Sequence, residues 1–224
     1  MSKLIALLSI LAALAVQAQP SGQKGGLKVR FLAERAPVEI GQVMLVAKEA
    51  KSAAFDLPTN HLSEPQVPPQ RVFNVWSSAR NLSVATVTLP EKGNSFIVLL
   101  IPSAEGGYKP VVISANDAGF KPGDIYFYNH ADKTVLGYVG TAKLILDPAN
   151  GKTLRPEGPS CEEKNYFDVG LGVREKEGDR PLSTARWPIQ KDLRMYVFFF
   201  INPQSQRLDF RAVDEFVESE VAPG

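Results

Sequence analysis

The sequence predicts an all-β protein made of two tandem immunoglobulin-like sandwiches that are related by an internal repeat. Gly, Pro, Asn and Asp interrupt the chain at short intervals, and few segments have apolar residues at helical spacing. A short pattern also recurs one hundred residues later: Leu82, Ser83 and Ala85 return as Leu182, Ser183 and Ala185. An apolar run follows each copy, so one β unit is predicted to occur twice.

The first residues have the pattern of a secretory signal peptide. Lys3 precedes an apolar run from Leu4 to Val16, and the small residue Ala18 completes a cleavage site. This run is shorter than the roughly 20 residues that a membrane-spanning helix needs. We therefore predict cleavage after Ala18, a flexible lead-in over 19–26, and a periplasmic or secreted protein that does not span the membrane.

The repeat divides the rest of the chain into two predicted domains. Domain 1 covers residues 27–115, domain 2 covers 124–224, and 116–123 form a short linker. Domain 1 is assigned strands near 28–33, 42–47, 72–77, 82–89, 95–101 and 108–113. Domain 2 is assigned strands near 124–129, 135–139, 142–146, 166–173, 182–187, 195–201 and 207–213. Segment 51–69, rich in Pro, Ser and Asn, is expected to be a long irregular connection, with turns at 148–151 and 202–206.

The C-terminal residues have an apolar pattern of helical period. Val213, Phe216, Val217 and Val221 follow one another at spacings of one to four residues, among acidic residues. The sequence therefore predicts a short helix at the end of domain 2, packed back onto that domain.

Two predicted strands are apolar on both faces, whereas a strand of a free-standing sandwich alternates apolar and polar residues. They are Phe96–Ile101 in domain 1 and Met195–Ile201 in domain 2. Something must cover the second face of each sheet. The candidates are the neighbouring domain, the long loop or the terminal helix on the one hand, and a partner protein or a second copy of the chain on the other.

Comparison of the two copies separates the two tryptophans. Trp187 fills the position of Val87, so it is predicted to be a core residue rather than a platform for a sugar ring. Phe73 and Val75 share one face of their strand, which places Trp76 on the opposite face. Trp76 is therefore the candidate ligand or interface residue, and partial burial beneath segment 51–69 is the alternative.

The sequence offers few residues for metal chemistry. It contains two histidines, His61 and His130, and one cysteine, Cys161, which has no partner for an intramolecular disulfide. A blue-copper centre needs two histidines and a cysteine, together with an axial methionine. In such proteins the second histidine closely follows the cysteine, but no histidine follows Cys161 here. No metal ligand or cofactor-binding residue is assigned.

The common catalytic motifs are also missing from the sequence. There is no Gly-x-Ser-x-Gly elbow, phosphate-binding glycine loop or His-Glu-x-x-His helix. The acidic pairs Glu162 with Glu163 and Glu175 with Glu177 lie in hydrophilic turns, which fits solvated loops better than a glycosidase carboxylate pair. No catalytic residue is assigned, and the protein is predicted not to be an enzyme.

The nearly equal numbers of basic and acidic residues limit the kinds of partner that we expect. Cleavage would remove one of the 25 basic residues and none of the 24 acidic residues, leaving a neutral chain. A neutral surface without a basic block attracts neither nucleic acid nor anionic lipid over long distances. Nucleic acid is therefore not an expected partner.

Two segments carry a resemblance to a group of proteins. They are the run from Phe120 to Asn129, with its Phe-x-Pro-Gly entry into a strand, and the run from Leu182 to Ile201, with Leu146-Asp147-Pro148 between them. In these segments the chain resembles uncharacterised exported two-domain β-sandwich proteins of Gram-negative bacteria such as the Verrucomicrobia. The resemblance covers mainly residues 120–217 and implies a periplasmic or secreted β protein. It implies no catalytic residue.

These observations predict an exported, non-enzymatic β-sandwich protein that serves as a binding or structural module at the cell envelope. Its predicted partner is an unidentified protein or glycan, and homo-oligomerisation is compatible with the two-sided apolar strands. The first alternative is a carbohydrate-binding module that uses exposed aromatic residues such as Trp76. The second is an enzyme with a site between the two domains, which would require polar side chains to converge on a deep cleft there.

Overall fold

The computed structural model describes residues 26–116, 119–158 and 165–217. The predicted signal peptide and Cys161 lie outside these ranges. The regular structure in them is almost entirely β, with one 3-10 turn at Val38–Ile40. Among the described residues, no helix is long and apolar enough to cross a membrane.

Seven strands lie in the first half of the chain: β1 (Lys28–Ala33), β2 (Val43–Ala47), β3 (Ala50–Lys51), β4 (Val72–Ser77), β5 (Leu82–Thr88), β6 (Ser95–Pro102) and β7 (Tyr108–Ser114). Eight lie in the second half: β8 (Ile125–Asn129), β9 (Val135–Val139), β10 (Ala142–Leu146), β11 (Gly151–Leu154), β12 (Tyr166–Glu175), β13 (Gly178–Pro188), β14 (Leu193–Ile201) and β15 (Leu208–Phe216). The predicted strands coincide with thirteen of these within a few residues.

The strands form four sheets. Sheet I has the order β3-β2-β4-β5, sheet II β1-β6-β7, sheet III β11-β8-β14-β15 and sheet IV β10-β9-β12-β13. Sheets I and II pack together as the N-terminal sandwich, and sheets III and IV as the C-terminal sandwich. Within the described ranges no strand of one sandwich pairs with a strand of the other. The fold is thus an all-β sandwich fold, while its immunoglobulin-like topology and the domain boundaries stay predictions.

The repeat is visible in the register of the strands. Phe73 of β4 pairs with Val87 of β5, as Phe167 of β12 pairs with Trp187 of β13. In addition, β1 runs parallel to β6, as β8 runs parallel to β14. The same order of strands, β2-β4-β5 and β9-β12-β13, therefore recurs in sheets I and IV.

The two strands that are apolar on both faces occupy the inner layers of a four-layer stack. Alternate residues of β6 point into the N-terminal sandwich, and Ile97, Leu99 and Ile101 point the other way. There they meet Tyr196 and Phe198 of β14 in a third apolar cluster, the central core, which lies between sheets II and III. The neighbouring sandwich therefore covers the second face of each strand.

The offset of one hundred residues does not hold for these two strands. It would align Ile97 with Val197, but Ile97 lies in the central core and Val197 in the core of its own sandwich. The pairings with β1 and β8 give an offset of ninety-nine, which aligns Phe96 with Met195. The connection between β13 and β14 is thus one residue shorter, in the aligned repeats, than the connection between β5 and β6. A slip of one residue exchanges the two faces of a strand.

The predicted C-terminal helix is not present in the described residues. Residues 213–216 belong instead to β15, which pairs with β14 along nine residues. Val213 and Glu215 are buried and Phe216 is exposed, so the burial follows the two-residue period of a strand. Pairing with β14 outweighs the weak helical pattern, and Val221 lies outside the described residues.

Sequence reasoning also missed two strands, the short β3 and β11. The predicted turn at 148–151 ends as β11 begins, and β11 pairs with β8. In the N-terminal sandwich, Gln66 makes a single bridge to Val29 at the corresponding edge. Segment 51–69 is otherwise irregular, as predicted.

Gly140 is expected to be sensitive to substitution. It has a φ of +61°, and a methyl group there would overlap the carbonyl oxygen of Glu157. We expect Gly140→Ala to lower the free energy of unfolding by about 3 kcal/mol, from backbone strain and overpacking. Gly106→Ala is the control, because Gly106 also has a positive φ but no neighbour within 4 Å, so it should cost about 1 kcal/mol. Urea unfolding measures both, and equal losses would contradict the overlap.

Candidate functional site

A cleft of about 380 Å³ opens at one end of the C-terminal sandwich. At this end β8, β12 and β14 begin and β13 ends, so both sheets contribute to its walls. Apolar side chains form much of the lining: Ile125, Phe167, Trp187, Ile189, Leu193 and Met195. This volume lies within the range of about 300–1,000 Å³ that small-molecule sites occupy.

Trp187 lies where the core of the sandwich meets the cleft. Its ring packs towards Phe210, with the ring centroids 6.4 Å apart, and its side chain is half-buried. Val87, at the same position of the N-terminal sandwich, is completely buried. The prediction that Trp187 packs on the core agrees with this placement, but the larger indole also reaches the cleft.

A buried acid and an exposed base form the polar side of the cleft. Asp124 is 4% exposed, and it accepts hydrogen bonds from Arg155 Nε at 2.6 Å and from the Lys121 backbone N–H at 2.7 Å. Arg155 Nη2 also donates to the carbonyl of Pro122 at 3.3 Å. The hydrogen bond to Asp124 raises the pKa of Arg155. The guanidinium is therefore a fixed cation at the mouth of the cleft.

A second depression lies on the other side of this pair. It has a volume of about 400 Å³, and Gly119, Lys121 and Thr153 line it together with Asp124 and Arg155. Gln190 and Lys191, on the segment between β13 and β14, complete the rim of the first cleft.

The backbone of the cleft walls has few free donors. Pro122, Pro156 and Pro188 line it and have no N–H. Three other N–H groups are already used: Gly123 donates to Leu193, Met195 to Asp124, and Ile189 to Asn165. At these six positions a ligand must therefore be recognised by side chains.

Trp76, the candidate from the sequence, lies in the other sandwich. It is half-buried on the outer face of sheet I, in register with Met44 of β2 and Ser83 of β5. Phe73 and Val75 point inward, as predicted. The structure does not bring the two tryptophans together, and of the two it is Trp187 that lines the cleft.

The residues considered for a copper site are dispersed. His61 is exposed and contacts Asn60 Oδ1 at 2.7 Å, whereas His130 contacts Glu34 at the interface between the sandwiches. In the part of the chain that the structure describes, no group of three His, Cys, Asp or Glu side chains is placed to hold a metal ion.

Of the acidic pair at the end of β12 and in the following turn, Glu175 is paired with basic side chains. Glu175 accepts hydrogen bonds from Lys133 at 3.1 Å and from Arg180 at 3.2 Å, which lower its pKa. Glu177 is exposed. These contacts are those of a surface ion-pair network, and Glu162 and Glu163 lie outside the described residues.

Polar side chains at the interface between the sandwiches bind one another. Beside the central core, Glu215 accepts hydrogen bonds from Arg194, from Arg30 at 3.0 Å and from the Tyr196 hydroxyl at 2.6 Å. Burial and the neighbouring carboxylate raise the pKa of Tyr196 far above its usual range, so the phenol stays a donor. The acid, both arginines and the phenol are thus engaged with one another in the described part of the interface.

A second polar contact joins equivalent positions of the two halves. Glu34 donates its backbone N–H to Leu100 and His130 donates its own to Phe199, so the two residues have the same place in each sandwich. Their side chains meet at 2.6 Å between Oε2 and Nδ1. The two sandwiches therefore contact each other through corresponding edges.

Most residues of the cleft were not singled out in the sequence. Phe167, Asp124 and Arg155 lie far apart along the chain and form no motif. The available signal was at Trp187, where an indole replaces a valine in the repeat and a proline follows. No protein-family model and no curated protein matches this sequence.

Proposed function

We propose that this protein is an exported binding module of the cell envelope and that the cleft lined by Trp187 is its ligand site. The observation that carries the proposal is the combination of an open apolar cleft with a fixed ion pair, Asp124 and Arg155, at its mouth. Apolar walls supply burial, and a few oriented polar groups supply selectivity.

The surrounding fold supports binding because it holds the walls in place. The lining residues lie on or beside strands of sheets III and IV, and sheet III is packed against sheet II on its other face. A site with such preformed walls loses little conformational entropy when a ligand binds. The signal-peptide pattern at the start of the sequence supports a location outside the cytoplasm.

A carbohydrate is the ligand class that we favour over an apolar metabolite. One face of a sugar ring consists of C–H groups that pack on an aromatic ring, while its hydroxyls need polar partners. Trp187 offers the ring, and Arg155 and Gln190 offer the polar groups. Trp76 has a similar exposure but lies on the outer face of a sheet, so Trp187 replaces it as the leading candidate in the carbohydrate alternative.

The two tryptophans provide a matched test. We expect Trp187→Ala to reduce the affinity of any captured glycan by about tenfold or more, because stacking on the indole is lost. Trp76→Ala should leave the affinity unchanged within about twofold, since Trp76 belongs to the other sandwich. Binding to a glycan array, followed by titration of the bound glycan, measures both effects.

The folding of both variants is checked first by circular dichroism. A glycan that binds the Trp187→Ala variant as tightly as the original protein would remove the cleft from the proposal. Loss of binding in Trp76→Ala alone would move the site to sheet I.

A further inference from the structure

This inference rests on the proposed function and names the ligand. We infer that the cleft takes an acidic saccharide, with the sugar ring on Trp187 and the carboxylate of a uronic acid on Arg155. Three properties of the site support it: its charge, the geometry of its arginine, and the small number of free backbone donors along its walls.

The described side chains around the cleft carry an excess of positive charge. Arg155 and Lys191 line it, and Lys121 lines the adjoining depression. The one acid in both linings, Asp124, is buried and is occupied by Arg155 and the Lys121 N–H. Neither Lys121 nor Lys191 has an ion-pair partner among the described residues. The charge therefore favours an anion, although the chain as a whole is almost neutral.

Arg155 is oriented to receive a carboxylate. Its Nε is held by Asp124, and its Nη2 makes a longer bond to Pro122, while Nη1 donates to no described residue. The side chain is 55% exposed, so the outer part of the guanidinium faces solvent. A planar guanidinium binds a carboxylate through two parallel hydrogen bonds. Because Asp124 already orders the Arg155 side chain, binding a ligand costs that side chain little further conformational entropy.

The walls disfavour the other common anionic ligand, the C-terminus of an extended peptide. Peptides that bind along a sheet edge depend on backbone N–H groups of the host. Here Pro188 ends β13 at the cleft, Pro122 and Pro156 line the opposite side, and the N–H groups of Gly123, Ile189 and Met195 are used. A sugar ring needs an aromatic surface and side-chain donors instead, and the Trp187 indole N–H has no acceptor among the described residues.

The test compares ligands that differ only in charge. The probes are trimers of galacturonate, glucuronate and mannuronate, each beside its methyl ester, with binding followed by the fluorescence of Trp187 in a Trp76→Phe background. We expect at least one uronate trimer to bind about tenfold more tightly than its ester, because a charge-assisted bond is lost on esterification. Added salt should weaken the uronate and not the ester.

Substitutions test which basic side chains bind the carboxylate of the uronate. Replacing both Lys121 and Lys191 with glutamine should weaken the uronate severalfold, and Arg155→Lys should weaken it further because the fork is lost. Arg155→Gln alone would leave Asp124 buried and unpaired, so Asp124→Asn combined with Arg155→Gln serves as the variant that removes the pair together. It should bind uronate and ester equally.

The possible results distinguish a failure of the acidic-saccharide proposal from a failure of the proposed function. Equal binding of acid and ester, or binding of neutral glycans alone, overturns the acidic saccharide but keeps the cleft as a ligand site. Binding of a peptide acid and of no uronate also overturns it. If no glycan or peptide responds to substitution of Trp187, the proposed function fails as well.

Discussion

Replacing Glu215 with alanine is expected to lower the free energy of unfolding by about 3–5 kcal/mol, because it leaves a buried cation without its partner. Glu215 accepts two hydrogen bonds from Arg194, each of 2.9 Å, and Arg194 is only 4% exposed. A buried charge that loses its partner retains its desolvation cost without compensation. This is a larger effect than the loss of one hydrogen bond.

The position of Glu215 enlarges the effect. It also binds Arg30 of β1, which belongs to the N-terminal sandwich, so the carboxylate joins sheets II and III. Arg194 further donates to the carbonyl of Ala115, at the end of the N-terminal half. Losing the acid therefore weakens the contact between sandwiches as well as the C-terminal sandwich itself.

Equilibrium unfolding in urea measures the change, with Glu177→Ala as the control at an exposed position. The control should change the free energy by less than about 0.5 kcal/mol. Glu215→Gln should fall between the two, since the amide keeps the shape but not the charge. A Glu215→Ala protein as stable as the control would show that solvent reaches Arg194.

Phe198→Ala is expected to cost about 3–5 kcal/mol and to uncouple the two sandwiches. Phe198 is fully buried in the central core, and the Arg211 guanidinium lies 5.8 Å from its ring centroid. The cavity would form between sheets II and III, which interdigitate there without a strand pairing to hold them. The interface should therefore weaken more than either sandwich core.

The tryptophans can report on the two sandwiches separately. Trp76 lies in sheet I and Trp187 in sheet IV, so Trp76→Phe and Trp187→Phe backgrounds each leave one reporter. We expect coincident urea transitions in the original protein and separated transitions after Phe198→Ala. Phe216→Ala is the matched control, because Phe216 is 67% exposed and its loss creates no cavity. Coincident transitions at an unchanged midpoint would contradict the proposed role of the central core.

Local pattern accounted for most of the strands. Lys28–Phe31 alternates polar and apolar residues, Phe73 and Val75 of Val72–Ser77 share one face, and the structure places a strand at each. It failed at the end of β15, over residues 213–216, where a weak helical spacing competed with a two-residue period. There the pairing with β14, which contributes nine backbone positions, decided the conformation. The apolar pattern of the sequence also did not predict β11, whose strand conformation depends on pairing with the neighbouring β8.

The candidate site was harder to predict, and Trp187 shows why. The repeat correctly assigned it to the position of Val87 on the inner face of the sheet. That equivalence says nothing about the end of the sandwich, where segments before β8 and after β11 bring Asp124 and Arg155 together. Contacts between residues so distant in the chain leave no mark on local periodicity.

The sequence by itself therefore determined where most of the strands lie, that they occur in two similar sets, and which runs must be buried on both faces. These properties follow from the alternation of side chains along a strand, which is local. Only the tertiary structure decided that each sandwich covers the other, that Glu215 joins them, and that Trp187 borders a cleft. Those properties depend on which surfaces meet in space, and burial and pairing across the whole chain set that.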